Sequence, residues 1–423
     1  MPITTRSAID NRTSLPNEPD TGGETVRVGY VVSRFPKTTE TFIAREALAV
    51  ADLGHEVTMM TITRENGQIV QPGVERLLPD LVAGNDAGVG ELLRAQVRWL
   101  RRHPRRLGRM WWRAVAGNVR SIKFLVRALV ISAMAPWVAD RAKARELDHL
   151  HAHWGSHSAL LAHQVALLTG LPYSVTLHAH DLHINRTMLG EKLAAAARVV
   201  TISDHNRELL ADLYPALGPV EVVHCGVDVG SIAPRAAEPD NHPPRLVMVA
   251  GLRNFKGHVH LFEALRILEL RDRKVALDVV GDGPLRAELE ETAGDNVVFH
   301  GAVDIEKVLR IVAGSDVAVM PSVVMPDGRR DGIPVALIEA MALGVPVIST
   351  RVSGIPELVE HEITGLLVEQ RNPEQLADAV ERLLDDDELR RHLGESGRHR
   401  VEHEFDLLVS VRQMVDCFLP DAG

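Results

Sequence analysis

The feature that most constrains this chain is an alternation that occurs twice: short apolar, β-branched runs separated by helical stretches. VRVGYVVS (26–33), EVTMMTI (56–62), LDHLHAH (147–153), YSVTLHAH (173–180), ARVVTIS (197–203) and VEVVH (220–224) fill the first half. A polar, proline-rich stretch, SIAPRAAEPDNHPPR (231–245), interrupts them. The alternation then restarts with LVMVAG, VALDVVGDG, NVVFHG, DVAVMPS, VPVIST and GLLVE. Apolar runs without a polar face are strands covered on both sides, which helical crossovers achieve in parallel sheets. The expectation is an α/β chain of two doubly wound, Rossmann-like domains joined near residue 235. The chain divides into a polar tail (1–24), a first domain (25–234), a second domain (235–402) and a last helix (403–423). That helix can pack on either domain, the first being the candidate.

Composition narrows the class. At 423 residues, 45% hydrophobic and 25% charged, the chain can bury two cores. Two cysteines, Cys225 and Cys417, argue against a disulfide framework and for a reducing compartment, so a cytoplasmic location is expected. The N-terminal segment has no apolar run of the kind an export signal needs. The apolar run Ala128–Ala139 is shorter than the roughly 18 residues that span a bilayer, so no membrane crossing is expected.

Charge is segregated. Net charge is −10, yet eleven Lys and Arg and no acidic residue lie between Glu91 and Asp140. Within this helical segment (91–139), the stretch 94–127 mixes Arg with Trp99, Trp111, Trp112 and Phe124. Arg beside a Trp/Phe/Leu face suits an anionic membrane surface, at about 1 kcal/mol per basic residue near the headgroups. Peripheral attachment to the inner face of the cell membrane is the functional expectation. A solvated helical excursion packed on the domain is the alternative. No recognition motif accompanies the charge, so nucleic acid is not the expected partner.

In open α/β sheets ligands bind beyond the carboxyl ends of the strands, so loops directly after strands hold the candidate residues. VVGDGPLRAELE places Gly281 and Gly283 between a strand and Pro284, a favoured first helical residue. Glycines there let a phosphate or sugar approach backbone N–H groups, although a tight turn uses the same residues without a ligand. VAGLRNFKGH offers Arg253 and Lys256, two cations suited to a diphosphate or simply to solvent. In RRDGIPVALIEAMALGVPVIST, Asp331 lies in the loop after DVAVMPS and Glu339 about five residues into the next helix. At ~1.5 Å of rise per residue, two carboxylates can bracket one polyhydroxylated ligand. A turn aspartate and a paired helical glutamate are the plain alternative.

The stretch DGIPVALIEAMALGVPVISTRVSGIPELVEHEITGLLVE (331–369) resembles the signature region of the retaining glycosyltransferases of family four, which have the GT-B fold and use nucleotide-sugar donors. VVGDGPLRAEL, VVFHGAVDIEKVLRIVAGSDVAVMPS, VVHCGVD and VTLHAHDL extend the likeness over most of the chain from about Val26. The opening VSRFPKTTETFIAREALAV looks like the exopolysaccharide and colanic-acid type of transferase.

The resemblance implies two Rossmann-like domains facing across a cleft. It implies that Glu339, the second glutamate of an E-x7-E motif, binds the donor ribose. Asp331 stands at the first glutamate, one methylene shorter, near the transferred sugar. The backbone of Gly332, Ile333, Pro334 and Val335 would lie against sugar and diphosphate, and Lys256 matches a diphosphate-binding lysine. Gly251 replaces the usual arginine, with Arg253 shifted. His178 matches a histidine of T-x-H-G-x-D (here Thr176, His178, Asp181) that contacts the donor sugar, with Ala179 in place of the glycine. A first-loop glycine pair is replaced by RFPKTTET, whose Thr38, Thr39 and Glu40 start a helix and offer acceptor-side contacts. The implied donor is UDP- or GDP-linked, the acceptor a glycan or polyprenyl lipid, the outcome retention, and no cofactor or divalent metal is needed.

Three rivals stay open. His151, His153, His157, His163, His178, His180 and His183 crowd the first domain, as in a metallohydrolase, but HAHDLH sets its aspartate one residue early for an H-x-H-x-D-H ligand set. An epimerase or phosphorylase would share the two-domain cleft. The changes at Asp331 and Gly251 would suit an inactive membrane scaffold.

Overall fold

The structure, a computed structural model, describes residues 25–37, 40–65 and 72–419. Two parallel sheets organise it. The first contains β1 (Arg27–Phe35), β2 (Glu56–Arg64), β3 (Val82–Ala83), β4 (His149–His153), β5 (Tyr173–Leu177), β6 (Arg198–Thr201) and β7 (Val220–Val222), in the order β3-β2-β1-β4-β5-β6-β7. The second contains β8 (Arg245–Val249), β9 (Ala276–Val280), β10 (Val297–Gly301), β11 (Val317–Met320), β12 (Val347–Thr350) and β13 (Leu366–Val368), in the order β10-β9-β8-β11-β12-β13. Strand order therefore reverses between β1 and β4 and between β8 and β11. These switch points open the crevices where such sheets bind ligands. The two-residue β3 is too short to stand out from the loop around it in sequence.

Parity along the strands decides which side chains meet. In β1, Val28, Tyr30 and Val32 face one side, packing with the helix Thr41–Asp52 and with Phe418; Val31 faces the other. In β4, Leu150 and Ala152 share the side of Val31, so the two-residue period sends His149, His151 and His153 to the side of Tyr30. In β5, Tyr173, Val175 and Leu177 face the Leu150 side, leaving Ser174 and Thr176 to bond the histidines. The sequence thus lays a polar stripe under the Thr41–Asp52 helix.

Core membership changes from the first domain to the second between Val223 and Val227, upstream of residue 235, because Val227, Val229 and Ile232 already pack into the second core. The chain crosses back at Phe405–Leu407. Phe405 belongs to the second core, while Val411, Met414, Val415 and Phe418, on and after the helix Leu407–Asp416, join the first. The two crossings touch: Val227 N donates to Phe405 O at 3.0 Å and Leu407 N to Val227 O at 2.8 Å. A Cβ on Gly226 would lie 2.6 Å from Leu407 Cα, so the position needs glycine.

The basic segment forms three helices, Val89–Arg102, Pro104–Ala116 and Ile122–Ala144. The third is long and apolar enough to cross a membrane, but Ile131, Ala135, Val138 and Ala142 are buried in the first domain's core. Asp386, in the acidic run Asp385–Glu388, caps the following helix by accepting from Leu389 N at 2.9 Å.

Candidate functional site

At the switch point of the second sheet, the loop after β8 brings Lys256 to the loop after β11. Lys256 Nζ lies 2.7 Å from Asp331 Oδ1, and Ser322 Oγ donates to Asp331 Oδ2 at 2.5 Å. Asp331 is buried, so its charge is compensated by one cation and one hydroxyl. Gly257 makes the turn possible: its φ is +82°, and a Cβ there would sit 1.9 Å from Pro321 O. Gly332, Ile333 and Pro334 lead into the helix Val335–Ala342, with Pro334 at its N-cap and Val335 its first residue. The unpaired N–H groups of that first turn carry partial positive charge beside the Lys256–Asp331 pair.

Glu339 is buried one turn further into the helix and is held from the other domain: Arg45 Nη1 reaches its Oε1 at 2.9 Å. Arg253 is exposed on the same loop as Lys256. Gly281 and Gly283 line the adjacent turn, where the backbone itself demands glycine; a Cβ on Gly281 would meet Ala250 O at 2.1 Å and one on Gly283 would meet Leu252 O at 2.6 Å. The tight-turn alternative therefore accounts for both without a ligand.

In the first domain His178 follows β5 and caps the short helix Ala179–His183, its backbone N–H donating to Asp181 Oδ2 at 3.1 Å. Its ring is buried, with Trp154 at 4.2 Å and Phe42 at 5.3 Å between ring centroids. Burial, then the neighbouring His153, holds its pKa well below the usual histidine value, so the imidazole is neutral. Burial also pushes Asp181 up to about 6. Thr176 bonds His151 Nε2 at 3.2 Å, inside the core. Glu40 is the N-cap of the Thr41–Asp52 helix and accepts from Lys37 Nζ at 2.5 Å. Thr38 and Thr39 lie outside the described residues.

Four residues at this site escaped the sequence reading: Tyr30, Arg45, Glu46 and Trp154. Arg45 and Glu46 are consecutive on the Thr41–Asp52 helix. Arg45 reaches across to Glu339, while Glu46 Oε1 accepts from Tyr30 Oη at 3.0 Å and lies 3.1 Å from His153 Nε2. The helix thereby joins the second-domain carboxylate to the first-domain histidines. The signal was present in the strict i, i+2 spacing of His149, His151 and His153, but which face they took depended on the sheet.

Glu46, His151 and His153 bring their ligating atoms within 4.8 Å of one another. Both ring nitrogens of His151 are engaged, Nδ1 with Ser174 Oγ at 2.8 Å and Nε2 with Thr176 Oγ1 at 3.2 Å. A metal would have to break those bonds, so the donor set fits a hydrogen-bonded network better than a metal site. His157 and His163 lie apart on the helix His157–Thr169, and His180 and His183 on the Ala179–His183 helix. The hydrolase reading is not favoured.

Comparison with known proteins agrees with this geometry. Residues 39–231 match the model of Glycosyltransferase Family 4 and residues 232–400 that of Glycosyl transferases group 1. The putative colanic acid biosynthesis glycosyltransferase WcaL of Escherichia coli K12 is 28% identical over 413 residues, covering 92% of this chain and 98% of the relative. A GDP-mannose-dependent alpha-(1-6)-phosphatidylinositol monomannoside mannosyltransferase of Mycobacterium tuberculosis is 30% identical over 263 residues, 57% of this chain and 68% of that one. Among solved structures, Anabaena HepE in complex with UDP and glucose superposes with a TM-score of 0.68 over 92% of this chain and 98% of that one, at 15% identity, a likeness of fold. With two switch-point crevices facing each other, two family models meeting at residue 231 and relatives in exopolysaccharide synthesis, this chain belongs to glycosyltransferase family 4 and has the GT-B fold.

Proposed function

We propose that the protein transfers a sugar from a UDP- or GDP-linked donor to a glycan or lipid-linked acceptor, with retention, in the synthesis of a bacterial surface polysaccharide. The observation that carries this reading is the pairing made by one helix, Arg45 with Glu339 and Glu46 with the His153–His178 pair, which sets donor-side and first-domain candidates on one cleft. Lys256 and the N–H groups at the start of the Val335–Ala342 helix would balance the charge that builds on the departing diphosphate. Glu339 would accept from ribose hydroxyls, and Asp331 and His178 would contact the transferred sugar. The anomeric C–O bond to phosphate breaks as the acceptor oxygen bonds from the same face, and the acceptor proton passes to the departing phosphate oxygen. With Lys256 and this helix N-terminus in place we propose that no divalent metal is required.

Thermal unfolding with UDP, GDP, ADP and CDP, each with EDTA and again with magnesium, tests this. A nucleotide at 100 times its Kd stabilises by about 2.7 kcal/mol. One base should raise Tm equally with EDTA and with magnesium, and Glu339→Ala should remove most of that shift. No shift with any nucleotide would defeat the donor reading, and a shift only with magnesium would defeat the metal-free one.

We further propose that the basic helices rest on an anionic membrane face, giving a cytoplasmic, peripheral location. Leu93, Val97 and Leu100 on one helix and Ile122, Val126 and Val130 on another form exposed apolar ridges, with Trp112 72% exposed. Arg94, Arg101, Arg102 and Arg105 stand among them, all exposed. Trp99 is no part of this face; it is buried, with Nε1 donating to Pro136 O at 3.1 Å. Replacing Arg101, Arg102 and Arg105 with Glu should lower partitioning onto anionic vesicles by at least about 100-fold, on the scale of 1 kcal/mol per charge. Equal binding to zwitterionic and anionic vesicles by the unaltered protein would refute the proposal.

A further inference from the structure

The histidine expected to meet the donor sugar is the end of a chain of buried polar groups rather than an isolated ring. Tyr30 Oη lies 3.0 Å from Glu46 Oε1; the same oxygen lies 3.1 Å from His153 Nε2; and His153 Nδ1 lies 3.5 Å from His178 Nε2. Four segments supply it: β1, the Thr41–Asp52 helix, β4 and the end of β5. His153 is 1% exposed and the Glu46 side chain 16% exposed, so each proton position is set by its neighbours rather than by bulk water.

The direction of this chain follows from its first two members. Burial, reinforced by Glu46, holds the Tyr30 phenol well above its ordinary pKa, so Tyr30 carries its proton and can donate. Glu46 Oε1 receives that donation, and as the shared acceptor it is matched by Nε2–H of His153. If His153 carries one ring proton, on Nε2, its Nδ1 presents a lone pair that accepts from His178. His178 then carries its proton on Nε2. The outcome is a lone pair on His178 Nδ1, the ring nitrogen that does not face His153.

We propose that Glu46 and His153 are positioning residues that fix His178 in its Nε2–H tautomer, so that its Nδ1 accepts a hydrogen bond from a hydroxyl of the transferred sugar. This rests on the transferase reading above. The recognised group is specific: a sugar hydroxyl can donate to Nδ1, whereas a phosphate oxygen or a carbonyl at that position has no proton to give. A donor sugar lacking that hydroxyl would leave Nδ1 unpaired in a buried site. It also assigns a purpose to the acidic residue of TFIAREALAV, whose neighbour Arg45 already serves the opposite wall.

The same stripe of residues distinguishes a relay from a metal site. A metal held by His151 would break its bonds to Ser174 and Thr176, whereas a relay leaves them in place and uses the His153–His178 approach.

The test is nitrogen-15 NMR of the full chain labelled at histidine, with resonances assigned by H153Q and H178Q, in which the shifts of Nδ1 and Nε2 report which nitrogen carries the proton. The expected wild-type spectrum has both His153 and His178 as Nε2–H tautomers, read on the unaltered protein once the two resonances are assigned. Glu46→Gln is expected to lower kcat by about 10–100-fold, the effect of one hydrogen bond lost or misdirected at the sugar. The nucleotide-induced Tm shift should be preserved, because the base and diphosphate bind elsewhere. An Nδ1–H tautomer at His178 in the wild-type protein would overturn the proposal. So would wild-type kcat in E46Q, or stoichiometric zinc bound by the purified protein. Absence of sugar transfer from any donor would instead count against the transferase reading, while the wild-type tautomers would still decide the direction of the relay.

Discussion

Lys256→Ala is expected to lower kcat by about 10²–10³, the scale seen when one fixed charge or donor is removed from the place where negative charge develops. Lys256 lies after β8 and Asp331 after β11, the two strands that flank the second sheet's switch point, and their 2.7 Å contact makes Lys256 the cation nearest the buried carboxylate. Departure of a nucleoside diphosphate places new charge in that crevice, and Lys256 would stabilise it more as the bond breaks than before. Alanine also leaves Asp331 with Ser322 as its remaining partner, so donor affinity should fall too. Lys256→Arg should recover only part of the loss, since a planar fork does not reproduce a compact ammonium at the end of the Gly257 turn. The check is steady-state kinetics with the nucleotide sugar identified by thermal shift. A Lys256→Ala enzyme within fivefold of wild-type kcat would remove Lys256 from the site.

Acid should unfold this protein abruptly, beginning near pH 6.5. Burial lowers His149, His163 and His258 to about 4, and each is at most 2% exposed. The unfolded chain takes up protons below the ordinary histidine pKa of 6.5, while these rings in the folded chain do not until about 4. Stability from these groups is therefore fully present above 6.5 and is lost as pH falls towards 4. One pH unit below 6.5 each group costs about 1.4 kcal/mol, so the three together cost about 4 kcal/mol at pH 5.5, comparable with a domain's whole stability. Asp181 acts in the opposite sense. Raised to about 6 by burial, it binds a proton first in the folded state and returns just under ~1 kcal/mol at that pH. Two of the three histidines lie in the first domain, which should melt before the second. Calorimetry at pH 7.5 and 5.5 checks this; a first transition that stays in place would show that these rings accept protons without unfolding.

Much of this architecture was legible because parallel strands buried on both faces leave continuous apolar runs, and because helix caps such as Asp386 and turn glycines such as Gly257 have local causes. The second-domain candidates were legible for a related reason. They follow strands directly, so sequence proximity places Lys256, Asp331 and Glu339 near one crevice. The first-domain network was not legible, since Tyr30, Glu46, His153 and His178 meet only through strand parity and helix packing across more than a hundred residues of chain. HLHAH advertised a histidine face but not what it faced. Composition does not distinguish the two sides of an arginine-rich helix, so Trp99 resembles a surface anchor in the sequence alone. Its indole N–H, bonded to Pro136 O, turns it inward.

The paired crossings at Val227 and Phe405–Leu407 restrict how the two domains can rearrange. A single linker would permit swivel, tilt and translation. Two covalent strands tied side by side form a short ribbon, stiff to shear and to separation, whose soft deformation is rotation about its own line. Opening and closing then reduce to one angular coordinate, and the Arg45–Glu339 contact between the domains reports its closed end. One spin-label pair spanning the cleft should follow the whole motion, with a two-peaked distance distribution rather than a broad continuum.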